Sequence, residues 1–171
     1  VGGLPYVTLP QLSEMPGALE LAQVASDKHG ALVNAALLEL TLLDGDRSGY
    51  DPDDVAAADR ARERIEQAST EADALIDGYL GKRYTLPLPS PPGILTTWAR
   101  AIVRYKLHGD RLSTETNDPI VRDYRDALKF LEQIAAGKFS LGIEDPTSQG
   151  SGLGEVRIDP GKKVFGREFL P

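Results

Sequence analysis

Few residues in this chain have types and spacing that could do chemistry. Its two histidines, His29 and His108, are the whole imidazole complement. Neither has a second histidine or a Glu-x-x-His partner at ligand spacing, so no metallohydrolase site is legible. No Gly-x-Ser-x-Gly elbow for acyl transfer occurs. There is no cysteine, which removes disulfides, thiolate catalysis and cysteine-ligated metals. No set of residues satisfies the geometric demands of a nucleophile, its base and a charge stabiliser, so the expectation is a protein that is not an enzyme. His108 closes a helical stretch, where a cation suits the helix dipole.

The acidic turn carries the one metal-like spacing. Asp44, Asp46 and Ser48 fall at the first, third and fifth positions of a calcium loop, with Gly49 sixth. The bidentate Glu that should close the loop is absent, because Val55 stands there, and Pro52 occupies the ninth position. These three residues are weak calcium candidates, and no metal or cofactor is expected. The same residues also read as an Asp/Gly turn that caps the following helix. Gly150-Ser151-Gly152-Leu153-Gly154 alternates glycines, but it neither follows a strand nor opens a helix, so it reads as linker rather than a dinucleotide fingerprint.

Basic residues gather loosely at Lys82, Arg83, Arg100, Arg104, Lys106 and Arg111. They could reach phosphates, but pairing with the chain's 26 carboxylates is the commoner outcome. Tyr79, Tyr84, Trp98 and Tyr105 could form a stacking platform for single strands; three of the four sit at helical core spacing, which favours core.

The chain has 171 residues, within the range of one domain, and a net charge of −7. That balance argues against sequence-independent DNA binding, which needs a basic surplus. No signal peptide and no apolar run long enough for a membrane span are read, so a fold soluble in a reducing cytoplasm is expected.

The elements follow from periodicity. Thr8 is placed to cap a short helix with Pro10 in its first turn, and Met15-Pro16-Gly17 interrupts it. Pro16 to Leu43 is apolar and alanine-rich, with two short helices divided at Ser26 to Gly30. The second should present Leu32, Ala36, Leu40 and Leu43 on one face. Asp51 and Pro52 start the clearest helix, whose apolar face is Val55, Ala58, Ile65, Ala68, Ala72, Leu75, Ile76 and Tyr79, with Gly81 as terminator. Its other side carries Arg60, Arg62, Glu63, Arg64 and Glu66. After the prolines at 87, 89, 91 and 92, a helix to His108 shows Leu95, Trp98, Ile102 and Tyr105. Another, capped by Asp118, shows Ile120, Tyr124, Leu128, Leu131 and Ile134 or Ala135, with Gly137 behind it. The fold class is all-α: a compact bundle of about four to six helices over residues 1–142. Residues 143–171 form a linker and an extended arm, drawn either as one strand or as a small β-hairpin turning at Asp159-Pro160-Gly161.

Asp77 to Leu88, DGYLGKRYTLPL, resembles a stretch of a family of small Mu-like phage and prophage proteins. The likeness continues through Ala99 to His108, Tyr124 to Leu131, Ile134 to Gly142 and the basic-aromatic ending Lys163 to Leu170. Pro16 to Leu43 departs from it, being longer and more apolar than the family's usual opening. The resemblance implies a head–tail connector, or adaptor, of the virion neck, assembled in the host cytoplasm. It implies a homo-oligomeric ring, twelvefold in that family, between the portal protein and the next stopper or tail-completion component. Genome DNA would pass through its channel without specific binding. Three contact zones are then expected: the arm at Val164, Phe165, Arg167 and Phe169; the proline loop at Tyr84, Leu86 and Pro87; and a lateral face at Arg60, Arg64 and Glu66. The alternatives are a helical nucleic-acid-binding packaging or regulatory protein, and a calcium-regulated helical binder.

Overall fold

A computed structural model of the chain describes residues 3–27, 30–109 and 118–143. These are all-α, as the periodicity predicts, with no strand among the described residues. The helices are α1 (Leu9–Leu12), α2 (Ala18–Ala25), α3 (Ala35–Leu42), α4 (Pro52–Leu80), α5 (Gly93–His108) and α6 (Pro119–Ala135). The arm beyond Ile143, and with it the hairpin alternative, lies outside the described residues.

The N-terminal turn is built as its sequence dictates. The Thr8 hydroxyl accepts from the Gln11 backbone N–H at 3.4 Å, and the Gln11 side chain accepts from the Thr8 N–H at 2.9 Å. This reciprocal pair satisfies two amides that a helix start leaves without partners. The helix is interrupted where the proline demands it: Met15 is extended (φ −149°, ψ 117°) and the Met15–Pro16 peptide is cis. Gly17, at φ +103°, then leads into α2 through backbone space that a side chain would strain.

Between α2 and α3, Ser26 joins two segments. Its hydroxyl donates to the Ala22 carbonyl and accepts from the Val33 N–H at 2.9 Å. Thr41 and Ser69, the other buried Ser and Thr among the described residues, likewise donate to the carbonyl four residues earlier. Each is thereby satisfied without breaking its helix. Asn34 caps α3, its side-chain oxygen accepting from Ala36 and Leu37. The helix therefore starts after Leu32, which is 68% exposed, and Leu43 at its end is 48% exposed. The expected face of Leu32, Ala36, Leu40 and Leu43 is not the buried one; Leu37, Leu38 and Leu42 are. Replacing Asn34 by alanine should cost about 1 kcal/mol, read as a lower urea midpoint; an unchanged midpoint would show that the cap is idle.

α4 is the spine. Asp51 accepts from the Asp53 N–H at 2.9 Å, Pro52 takes the first position, and Asp53 and Asp54 lie in the positive first turn. At 29 residues the helix spans about 43 Å, and it packs against α2, α3, α5 and α6. Ala58, Ala61, Ala68 and Ala72 let those neighbours come close, while Ile65, Ile76 and Leu80 fill the gaps. Val55, Leu75 and Tyr79, expected on the buried face, are only partly buried. α4 ends before Gly81, but that glycine sits at φ −60°, in the right-handed region. The stop comes instead from tight turns, with the Arg83 and Tyr84 N–H groups both donating to the Leu80 carbonyl.

α5 buries Leu95, Trp98, Ala99, Ile102 and Val103. α6 begins on Asp118, whose carboxylate accepts from the Ile120 N–H at 2.9 Å. It buries Val121, Ala127, Leu131 and Ile134, a face turned slightly from the expected one. Gly137, at φ +76°, occupies the left-handed position behind the helix that its type predicts.

Candidate functional site

A groove of about 520 Å³ lies between the Met15–Pro16 turn, α5 and α6. Trp98 forms its floor, buried to 6% exposure and stacked on Phe130 at 5.7 Å between ring centroids, with Phe139 edge-on at 6.4 Å. Met15 and Phe130 line the rim and remain 61% and 38% exposed. Arg100 comes from α5 and Asp126 from α6. The Arg100 Nε is sealed from solvent with no acceptor, and Asp126 pairs with no described residue.

One end of the groove is closed by a charge cluster that spans the sequence. Arg104 on α5 grips Glu20 on α2 with both arms, Nε to Oε1 at 2.5 Å and Nη2 to Oε2 at 2.7 Å. His108 Nε2 lies 3.0 Å from the same Oε1. A carboxylate can only accept, so Nε2 carries the proton in this contact. Burial pushes the Glu20 carboxyl up, but the hydrogen bonds and charges of Arg104 and His108 outweigh it and hold Glu20 below its usual range. The helix-dipole role read for His108 is thus accompanied by a specific tie to α2.

The charged face of α4 is engaged within the chain. Arg60 and Arg64 both pair with Asp27, and Arg64 also donates to the Ala25 carbonyl at 2.5 Å. Arg62 holds Asp44, Glu66 and the Thr41 carbonyl. Within the subunit, Arg60 and Arg64 fasten the α2–α3 connection onto α4 and Arg62 the α3–α4 connection, while Glu66 pairs with Arg62 along the helix. A shallow cleft of about 410 Å³ runs along this face, bordered by Glu63, Glu71 and Lys106. Of the basic cluster of the sequence, Arg104 is held by Glu20 and Lys106 by Glu71 at 2.8 Å. Nor do the aromatics form a platform: Trp98 and Tyr84 are buried, and Tyr105 stacks on Tyr124 at 3.8 Å.

The proline loop has a mixed placement. Tyr84 is only 4% exposed, and its hydroxyl accepts from the Leu141 N–H at 3.1 Å. Leu86 is half-buried and Pro87 is exposed, so these two remain at the surface. Nearby, the Tyr6 hydroxyl donates to Asp77 at 2.5 Å and its N–H to Asp73 at 3.2 Å. Burial raises the Tyr6 hydroxyl, reinforced by Asp77. Burial also raises the Asp73 carboxyl, and neighbouring Asp77 adds to it against the Tyr6 N–H. An acid raised in the folded state weakens the fold once it ionises. Asp73→Asn keeps the acceptor and removes that charge, so stability at pH 7 should rise by up to about 1 kcal/mol. The gain should shrink on acidification, and a loss at pH 7 would refute the assignment.

At the acidic turn, Asp44 faces Arg62 at 2.5 Å, and Asp46 accepts from the Ser48 N–H and hydroxyl, which lower its carboxyl. The two carboxylates serve the turn, and among the described residues no three acidic, His or Cys side chains cluster as a metal site. His29, Arg111, the glycine run and the arm residues Val164, Phe165, Arg167 and Phe169 lie outside the described residues. The groove residues Glu20, Asp126 and Phe130 escaped the sequence reading. Phe130 did leave a signal, an aromatic out of register with the apolar face of α6. The partnership of Glu20 with residues 84 and 88 positions away left none.

What these elements define, among the described residues, is an all-helical body with a charged spine and an open amphipathic groove, and no helix long and apolar enough to cross a membrane. The chain belongs to the bacteriophage Mu gp36 family, whose model matches residues 6–159. It is 33% identical over 104 residues to the Mu-like prophage FluMu protein gp36 of Haemophilus influenzae, covering 61% of this chain and 71% of that protein. It is 34% identical over 120 residues to gene product J of Escherichia phage Mu, covering 68% and 75% respectively. The family match includes α1 to α3, the region where the sequence resemblance was weakest.

Proposed function

We propose that this chain is a structural subunit of a phage neck, without catalytic activity. Copies form a ring that connects the portal of the DNA-filled head to the next joining component or the tail, around an open DNA channel. The observation that carries this reading is membership of a phage Mu family across residues 6–159. The shape of the subunit supports it. Arg47, Arg60, Arg62, Arg64, Arg104, Lys106 and Arg122 pair with its own carboxylates, in an acidic chain of net charge −7 that would not grip a passing genome. Its open groove and basic-aromatic ending suit contacts between proteins. The test is electron microscopy of lysates from a phage lacking the gene. Filled or leaking heads beside unattached tails are expected; intact, infectious virions would overturn the reading.

A further inference from the structure

The geometry points to the groove between Met15–Pro16, α5 and α6 as the receptor for the C-terminal segment Lys162–Phe169 of a second copy of this chain, an inference that rests on the ring reading. The groove states what its occupant must bring. Its exposed Met15 and Phe130 call for apolar bulk. Asp126 calls for a cation. Arg100, a cation on the groove lining with no carboxylate partner among the described residues, calls for a carboxylate or carbonyl.

The segment Val164-Phe165-Gly166-Arg167-Glu168-Phe169 supplies all three. In an extended chain, Phe165, Arg167 and Phe169 project to one side and Glu168 to the other. The two-residue step from Arg167 to Phe169 is about 6.6 Å. Asp126 and Phe130 stand one turn apart on α6, about 6 Å. Arg167 on Asp126 therefore brings Phe169 to Phe130, and turns Glu168 toward Arg100 on the α5 wall. The tip from Lys162 onward is a basic stretch in an acidic chain, which adds attraction to Asp123 and Asp126 on the groove lining. Residues 144–161 can span up to about 60 Å when extended, more than the length of α4 and enough to reach a neighbour. Around a closed ring, such a head-to-tail contact gives each groove one arm and each arm one groove.

Because the chain has no cysteine, an engineered disulfide can be read without background. Full-length Thr97→Cys, at the groove mouth, and full-length Gly166→Cys are co-assembled in phage particles and oxidised. A cross-linked dimer is expected, and a ladder of multimers from a chain carrying both substitutions. Asp126→Arg in the groove chain should lower the dimer yield about tenfold, and Arg167→Asp in its partner should restore it. Circular dichroism verifies that the charge variants fold. An internal disulfide confined to the doubly substituted chain would overturn the inference, since the arm would then occupy its own groove. No cross-link in particles with normal necks, or a cross-link indifferent to the charge exchange, would overturn it while leaving the ring reading intact. Absence of the wild-type chain from particles would sink the ring reading itself, and this inference with it.

Discussion

Replacing Trp98 by alanine should cost about 3–5 kcal/mol of folding stability. The indole is 6% exposed and joins α5, α6 and the chain after α6 through Phe130 and Phe139. Removing it deletes the largest side chain of that corner and leaves a cavity that three elements would have to close together. A domain of this size holds only about 5–15 kcal/mol in total, so the variant should be marginal at physiological temperature. Trp98→Phe keeps a stacked ring and should lose no more than about 2 kcal/mol. Urea unfolding followed by far-ultraviolet circular dichroism measures both. A loss below about 1 kcal/mol for the alanine variant would mean that α5 and α6 are held by α4 alone.

The second large effect concerns the tie between α2 and α5. Glu20→Gln keeps an acceptor but removes the charge that faces Arg104 and His108, so it should cost about 1–2 kcal/mol at pH 7, discounted for partial solvent exposure. The pH dependence gives the assignment its signature. Glu20 has its carboxyl lowered in the folded state. Its contribution is therefore fully present above the unfolded value, about 4.3 for a glutamate. It is lost as the pH falls through the lower folded-state value, where the wild type is protonated too. The stability gap between wild type and Glu20→Gln should close on acidification. A gap that stays constant between pH 7 and pH 3 would show that the loss is one of packing rather than charge.

Local rules carried much of this fold into view. Thr8, Asp51 and Asp118 each announce a helix by type, with proline within two positions behind, and each is found capping one. Gly137 marks a left-handed position and occupies it. The errors arise where two local signals compete. Leu32 keeps helical spacing with Ala36 and Leu40, but the side chain of Asn34 holds the amides of Ala36 and Leu37 and sets the start of α3 beyond it. Gly81 has the type of a left-handed stop, yet the turn at Leu80 ends the helix with no need of that conformation.

The groove was less legible because its chemistry is assembled from distant parts of the chain. Met15, Arg100 and Asp126 become neighbours only after α2, α5 and α6 pack. Charge pattern pointed to Arg60 and Arg64 as a lateral face; nothing local reveals that Asp27 also pairs with both of them. Asp44 and Asp46 likewise looked like the first half of an ion loop. One of them answers an arginine on the next helix and the other closes its own turn.

The single tryptophan of the chain is Trp98, so its ultraviolet emission arises from one place. That place is the floor of the groove, with two phenylalanine rings as immediate neighbours. Anything that fills the groove displaces solvent from its rim, and anything that loosens α6 exposes the indole, so the two events should move the spectrum in opposite directions. The protein therefore carries a label-free optical report of groove occupancy and of local opening, at wavelengths where its six tyrosines contribute little.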